Sequence, residues 1–130
     1  MESSEQEPGM QQPIARDDRS APTVAVDLDG DTARVTVAGE LTEAARRPLV
    51  RDVTDLLLAQ PTLHRIDLDL RQIAFVNSAG LAVLVQLMKL VGPRAIELVL
   101  VEPPAAVVRP LQLTGLWHRF TISETEDSAG

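Results

Sequence analysis

Val24, Val26 and Leu28 fall on alternate positions, a period of two that predicts a half-buried strand over 23–28. Asp29-Gly30 follows as a hairpin signal. Over 33–38 the alternation resumes, with Val35 and Val37 inward and Arg34 and Thr36 outward, so two antiparallel strands are expected. Gly39-Glu40-Leu41-Thr42 breaks the period, and Thr42 is placed to cap a first turn. Proline is tolerated at the first helical position, so Pro48 puts the start of the main helix near it. Leu49, Val50, Val53, Leu56 and Leu57 then repeat with helical spacing, up to Pro61.

Residues 64–70 alternate again, Ile66, Leu68 and Leu70 against Asp67 and Asp69. Ser78 to Val91 reads as a second helix closed by Gly92-Pro93. The apolar run over 95–101 suits a central parallel strand. Pro103 and Pro104 open a third helix through Leu113, which Pro110 is expected to bend or shorten by removing one backbone hydrogen bond. A last short strand is expected over 120–122. The order β-β-α-β-α-β-α-β predicts an α/β domain: a small mixed sheet, antiparallel hairpin first and parallel strands after, with helices packed against it.

The helix at Ser78 has an uneven circumference. At 100° per residue with Ser78 at zero, Lys89 falls at about 20°, Ala82 at about 40°, Gln86 at about 80° and Val85 at about 340°. All its polar residues share one stripe with Ser78, and Val83, Leu84, Leu87, Met88 and Val91 lie opposite as core. The stripe is therefore outward. Ala82 and Val85, with Leu81 at the edge, leave a small-sided apolar surface beside a hydroxyl, which suits a protein partner or a covering loop. Either Asn77 or Ser78 is expected at the N-cap. A phosphate on Ser78 would add about −1.5 to −2 charges at the helix's positive end and obstruct the stripe.

Composition narrows the function classes. The chain has 130 residues, which fits one domain, and its 45% hydrophobic content supports a real core. Aromatics are 2%, so Leu, Val, Ile and Ala must build that core. There is no cysteine, hence no disulfide or thiolate chemistry. A net charge of −7 argues against a nucleic-acid partner and against a polybasic membrane surface. No stretch is apolar for long enough to insert in a bilayer. Residues 1–22 are polar, contain proline and lack the basic and apolar regions of a signal peptide, so a disordered tail is expected there. A disordered acidic tail is expected at 124–130, leaving 23–123 as the domain.

Several stretches resemble the STAS family, in particular bacterial anti-sigma factor antagonists. Val37-Ala38-Gly39-Glu40-Leu41 is similar to the family's strand-ending "GEL". Ile66 to Leu70, running on to Phe75-Val76-Asn77-Ser78-Ala79-Gly80-Leu81, is similar to its "D-(S/T)-(S/A)-G-L" signature and the strand feeding it. Val108 to Leu116 resembles the closing "L-x-x-x-G-L" turn. The resemblance spans roughly residues 22 to 123, in order. It implies a STAS-like fold and a cytoplasmic, monomeric regulator in stress-type sigma factor control. Such a protein docks on an anti-sigma factor that is also a serine kinase, and so releases a sigma factor. It is phosphorylated on the signature serine, here Ser78, and is reset by a serine phosphatase. The partner-binding surface it implies comprises Thr42, Asn77, Ser78, Ala79, Gly80, Leu81, Ala82, Val85 and Lys89, with Gly80 allowing close approach. No cofactor is implied: ATP belongs to the partner kinase, and this chain has no Gly-rich phosphate loop. Two positions depart from the pattern. Asn77 stands where the signature has Asp, and Thr42 where Asp usually follows "GEL". Both remove negative charge from the same surface, which bears on kinase recognition.

Those departures keep a second reading open: a STAS scaffold that is not phosphorylated, or the soluble STAS partner of a transport or lipid-transfer system. An enzyme is not expected. The two histidines are His64, at the start of a strand, and His118, and no G-x-S-x-G surrounds Ser78. Asp67 and Asp69 suit pairing with Arg71 better than a metal site, which would need further ligands. Arg46, Arg47 and Arg51 read as a solvated face, Trp117 and Phe120 as a core plug, and Met88 as filler.

Overall fold

The computed structural model describes residues 21–123. The two tails expected as disordered lie outside the described residues, apart from Ala21 and Pro22. Five strands and three helices follow the expected order. Strand β1 is Thr23–Asp29 and β2 is Thr32–Leu41, joined by a tight turn in which Gly30 takes a positive φ of 67°. Helix α1 is Arg46–Ala59, β3 Arg65–Val76, α2 Ser78–Val91, β4 Glu97–Val101, α3 Ala105–Leu113 and β5 Thr121–Ser123.

The strands form one sheet in the order β1-β2-β3-β4-β5. β1 pairs antiparallel with β2, and every later pair is parallel. Sequential parallel strands joined by right-handed crossovers carry their helices on one face. The core confirms it: Val35, Leu68 and Leu100, level with one another across three strands, pack with Leu49, Leu84, Leu87, Val107 and Leu111 from all three helices.

Three elements differ from the sequence expectation. α1 begins at Arg46 rather than near Pro48, because a 3-10 turn over Glu43–Ala45 already starts the helical path. Pro48 still lies in the first turn, where its missing N–H has no intrahelical partner to lose. β3 continues to Val76 instead of stopping at Leu70. Its pairing with β2 steps from Thr36↔Asp69 to Ala38↔Gln72, and from Gly39↔Ile73 to Glu40↔Phe75. β3 thus carries an extra residue at two places, and such bulges erase the alternation that marks a strand in sequence. α3, by contrast, ends at Leu113 with Pro110 inside it, as expected. β1 is the sheet edge, and Val26 and Leu28 stay exposed where one buried face was expected.

The first turn of α2 presses on the end of β2. A Cβ on Gly80 would lie 1.9 Å from the Leu41 carbonyl oxygen and 2.5 Å from its carbonyl carbon. The same oxygen accepts a 3.2 Å hydrogen bond from the Asn77 N–H. Glycine at this position is a packing requirement.

On the opposite face of the sheet, Asp69 is 1% exposed. It accepts hydrogen bonds from the Arg71 side chain at 2.7 and 3.0 Å and lies 3.8 Å from Arg34. Arg65 donates to Asp67 at 2.6 Å. Asp69 is therefore paired with Arg71, as expected, whereas Asp67 pairs with Arg65 instead; among the described residues no cluster suits a metal. Burial opposes ionisation of Asp69, but the hydrogen bonds from Arg71 and the charges of Arg71 and Arg34 outweigh it and hold its carboxyl below the usual range.

Two stability predictions follow from these contacts. Gly80→Ala gains roughly 1 kcal/mol of helix propensity but drives a methyl into backbone, where overpacking costs about 1–3 kcal/mol or more. Urea unfolding should show net destabilisation, and a variant as stable as wild type would remove the close-crossing argument. A folded pKa held below its unfolded value stabilises at neutral pH, and that contribution is lost as pH falls from about 4 through the folded value. Asp69→Asn should cost roughly 1.5–3 kcal/mol at pH 7, with the gap to wild type closing in urea titrations below pH 4. A constant gap from pH 7 to pH 2.5 would count against the ionised pair.

Candidate functional site

Leu41 and Val76 are paired at the ends of β2 and β3, so Thr42 and Asn77 leave the sheet side by side. Thr42 turns its hydroxyl back on the chain, where it accepts from the Ala44 N–H at 3.2 Å. It caps the 3-10 turn, as the sequence suggested, and is half-buried.

Asn77 is the N-cap of α2. Its backbone is extended, with φ −117° and ψ −175°, and its Oδ1 accepts from the Gly80 N–H at 2.9 Å. The Asn77 carbonyl takes the first helical hydrogen bond, from the Leu81 N–H at 3.0 Å. Of the two candidates for the cap, the structure selects Asn77. Ser78 is the first helical residue, and its hydroxyl makes no hydrogen bond to the described residues. The two side chains divide the work: the amide satisfies the helix end, and the hydroxyl points to solvent without a structural duty.

The stripe behind Ser78 is partly as expected. Ser78, Ala82 and Lys89 are exposed, and Ala79 and Val85 half-exposed. Lys89 lies about 16 Å along the axis from Ser78, at 1.5 Å per residue. Gly80 and Leu81 are buried, which corrects their place in the candidate surface. Gly80 allows close approach, but the approach is to Leu41 of the same chain.

Two neighbours were not foreseen as part of this surface. Phe75 is 47% exposed, opposite Glu40 at the second irregularity of β3. Continued alternation would have turned it inward with Ile73, so only the bulge reveals it. Arg46 donates to both carboxylate oxygens of Glu43, at 2.9 and 3.0 Å, and to the Gln86 side chain. It ties α1 to the edge of the stripe rather than standing in a free basic face. The hydrogen bonds from Arg46 hold the Glu43 carboxyl below its usual range.

Elsewhere, His64 lies beside Asp31, Nδ1 to Oδ2 3.0 Å, at the end of the sheet away from Ser78. Among the described residues, no helix is long and apolar enough to cross a membrane.

The STAS domain family matches this chain over residues 23–129. No curated protein matches it. Solved structures do. A putative anti-sigma factor antagonist from Thermotoga maritima superposes with a TM-score of 0.70 at 24% identity, over 82% of this chain and 90% of that one. An anti-sigma factor antagonist from Mycobacterium paratuberculosis gives 0.66 at 24% identity, over 78% and 85%. The Bacillus cell fate determinant SpoIIAA in its phosphorylated form gives 0.62 at 17% identity, over 82% and 96%. Such identities bear on the fold alone. The capped helix end at Ser78 is the first turn of α2 in a domain of this kind: the chain belongs to the STAS domain family.

Proposed function

We propose that this protein is an anti-sigma factor antagonist. It binds an anti-sigma factor that is also a serine kinase, and this binding releases a sigma factor. Phosphorylation of Ser78 ends the interaction, and a serine phosphatase restores it. The chain acts as a cytoplasmic monomer and is not itself an enzyme. ATP is the kinase's substrate and needs no site here.

One observation carries the reading. The Ser78 hydroxyl is exposed and unbonded to the described residues, because Asn77 has taken over the cap. A kinase can reach it without unwinding α2. The phosphate would meet the N–H groups of the first turn and the positive end of the helix dipole, so the fold tolerates it. It would at the same time place about two negative charges at the head of a stripe made of Ala79, Ala82 and Val85. A partner seated on that stripe is expelled by charge and bulk, with no refolding. The solved relatives that are antagonists, one in a phosphorylated form, support the reading by likeness.

The test is capture of bound proteins by wild type, Ser78→Ala and Ser78→Glu. Ser78→Ala should retain the anti-sigma factor as well as wild type does, and Ser78→Glu should lose most of it. Equal capture by all three removes the switch and leaves a scaffold. Residue 77 gives a separate expectation. Asn77→Ala should destabilise by about 1 kcal/mol through loss of the cap. Asn77→Asp should keep the cap and gain about 0.3–1 kcal/mol from the dipole at low ionic strength. Urea midpoints check both, and an Asn77→Ala variant as stable as wild type would mean that the amide is not capping.

A further inference from the structure

Among the described residues, the large apolar side chains left exposed are Val26, Leu28, Leu58, Phe75 and Leu113. Four of them lie away from Ser78. Val26 is level with Val35 and Leu28 with Ala33, roughly 20 Å or more down the sheet from Leu41. A helix that joins two parallel strands runs back toward their first residues. Leu58, near the end of α1, and Leu113, at the end of α3, are carried the same way. Phe75 stands at the other end, within about 11 Å of Ser78 along the chain. The chain has two Phe and one Trp. Trp117 and Phe120 pack against the connected core, and Phe75 does not. The step from Gly39↔Ile73 to Glu40↔Phe75 re-aims it. The next pair, Leu41 and Val76, faces the core again, so Phe75 leaves the sheet on the face opposite the helices.

We infer that Phe75 is the apolar anchor of the anti-sigma factor, which takes the ring into a pocket of its own while it covers the stripe of α2. This rests on the proposed function and names where the partner grips. A kinase that modifies Ser78 must bring its active site to that hydroxyl. A stable protein contact covers about 800 Å² on each partner, a patch roughly 16 Å in radius. Phe75 falls well inside such a patch centred on Ser78, and Lys89, about 16 Å away, marks its rim. Inside it the stripe offers small side chains, Ala79, Ala82 and Val85. Binding energy gathers in a few large side chains that fill a pocket, and aromatic rings, stiff and broad, are favoured for it. Among the described residues Phe75 is the one exposed ring within reach. Its place also sharpens the switch. Ser78 lies between the ring, on the strand side, and Ala82, on the helix side, so one phosphate stands against both contacts.

The anti-sigma factor retained by immobilised Ser78→Ala is purified for the test. Calorimetry then gives its affinity for full chains carrying Phe75→Ala, Phe75→Leu, Leu58→Ala or Leu113→Ala. Phe75→Ala should weaken binding at least about 30-fold, and Phe75→Leu should recover part of the loss. Leu58 and Leu113 are 73% and 80% exposed against 47% for Phe75, yet their variants should stay within about threefold of wild type. In the kinase reaction Phe75→Ala should raise KM and leave kcat unchanged, because the ring holds the partner and takes no part in phosphoryl transfer. Urea midpoints should match wild type, as for exposed side chains generally. A much lower midpoint for Phe75→Ala would assign the ring to the fold and overturn the anchor. Phe75→Ala binding within threefold of wild type, with Ser78→Glu still unable to bind, overturns the anchor and leaves the switch. An equal loss at Leu58 or Leu113 moves the partner away from the Ser78 end and overturns it too. If neither wild type nor Ser78→Ala retains an anti-sigma factor, the proposed function fails and the anchor with it.

Discussion

The closest constraint in this molecule is the crossing of α2 over the end of β2. Gly80 meets the Leu41 carbonyl where no side chain fits, and Asn77 donates its own N–H to that same oxygen. A helix start held by one backbone oxygen has little freedom to tilt or turn. With the angle of α2 fixed, Val83, Leu84, Leu87 and Val91 are committed to the core, and the opposite stripe is committed to the outside. The exposure of Ser78 is then a consequence of packing two residues further on. Phase, and not the serine's own chemistry, puts the hydroxyl in water.

The sheet separates two kinds of physics. On the helix side, aliphatic residues from three strands and three helices form one connected core, and their burial supplies the driving force. On the other side the stabilisation is electrostatic and local: Asp69 is buried only because Arg71 and Arg34 hold its charge. An ion pair of that kind contributes less than it would cost to break, since Asp69 without the arginines is a desolvated charge. It therefore fixes the arrangement of β2 and β3 more than it deepens the fold. The pair Thr36↔Asp69 is also the last one before the first irregularity of β3. The carboxylate, accepting from both the backbone and the side chain of Arg71, holds the chain at the point where it leaves regular pairing.

Much of this was legible in the sequence, for reasons that can be located. The period of two in 33–38 and 64–70, the helical period after Pro48 and the bounds of 78–91 each report a face against one core, and the core is single-sided. Element order then left few topologies. The second half of β3 was not legible, because two extra residues scramble the alternation between Leu70 and Val76. Phe75 was lost with it. The cap was legible as a pair of candidates only: Asn and Ser are equivalent in sequence, and the choice rests on which residue's carbonyl takes the first helical bond. Gly80 was seen as permission for a partner to approach, because a sequence does not say which backbone a glycine faces.

The division between Asn77 and Ser78 bears on how the proposed switch is tuned. An aspartate at position 77 would cap the helix equally well, so the neutral amide is not a requirement of the fold. Its effect falls on the modified state. Two charges at position 78 beside one at 77, roughly 6 Å apart in water, repel by about 1.4 kcal/mol, before screening by salt. With Asn77 that repulsion is absent, and the phosphate keeps the full benefit of the helix end. The same substitution removes an acidic neighbour that a kinase could read. Thr42, which leaves the sheet beside Asn77, is neutral as well, so the two departures act on one patch and in one direction. Under the proposed switch, a phosphorylated form would be stabilised relative to one with aspartate at 77, and recognition of the unmodified form would rest on shape: the small stripe of α2, the exposed ring of Phe75, and Arg46 tied between Glu43 and Gln86 at its edge.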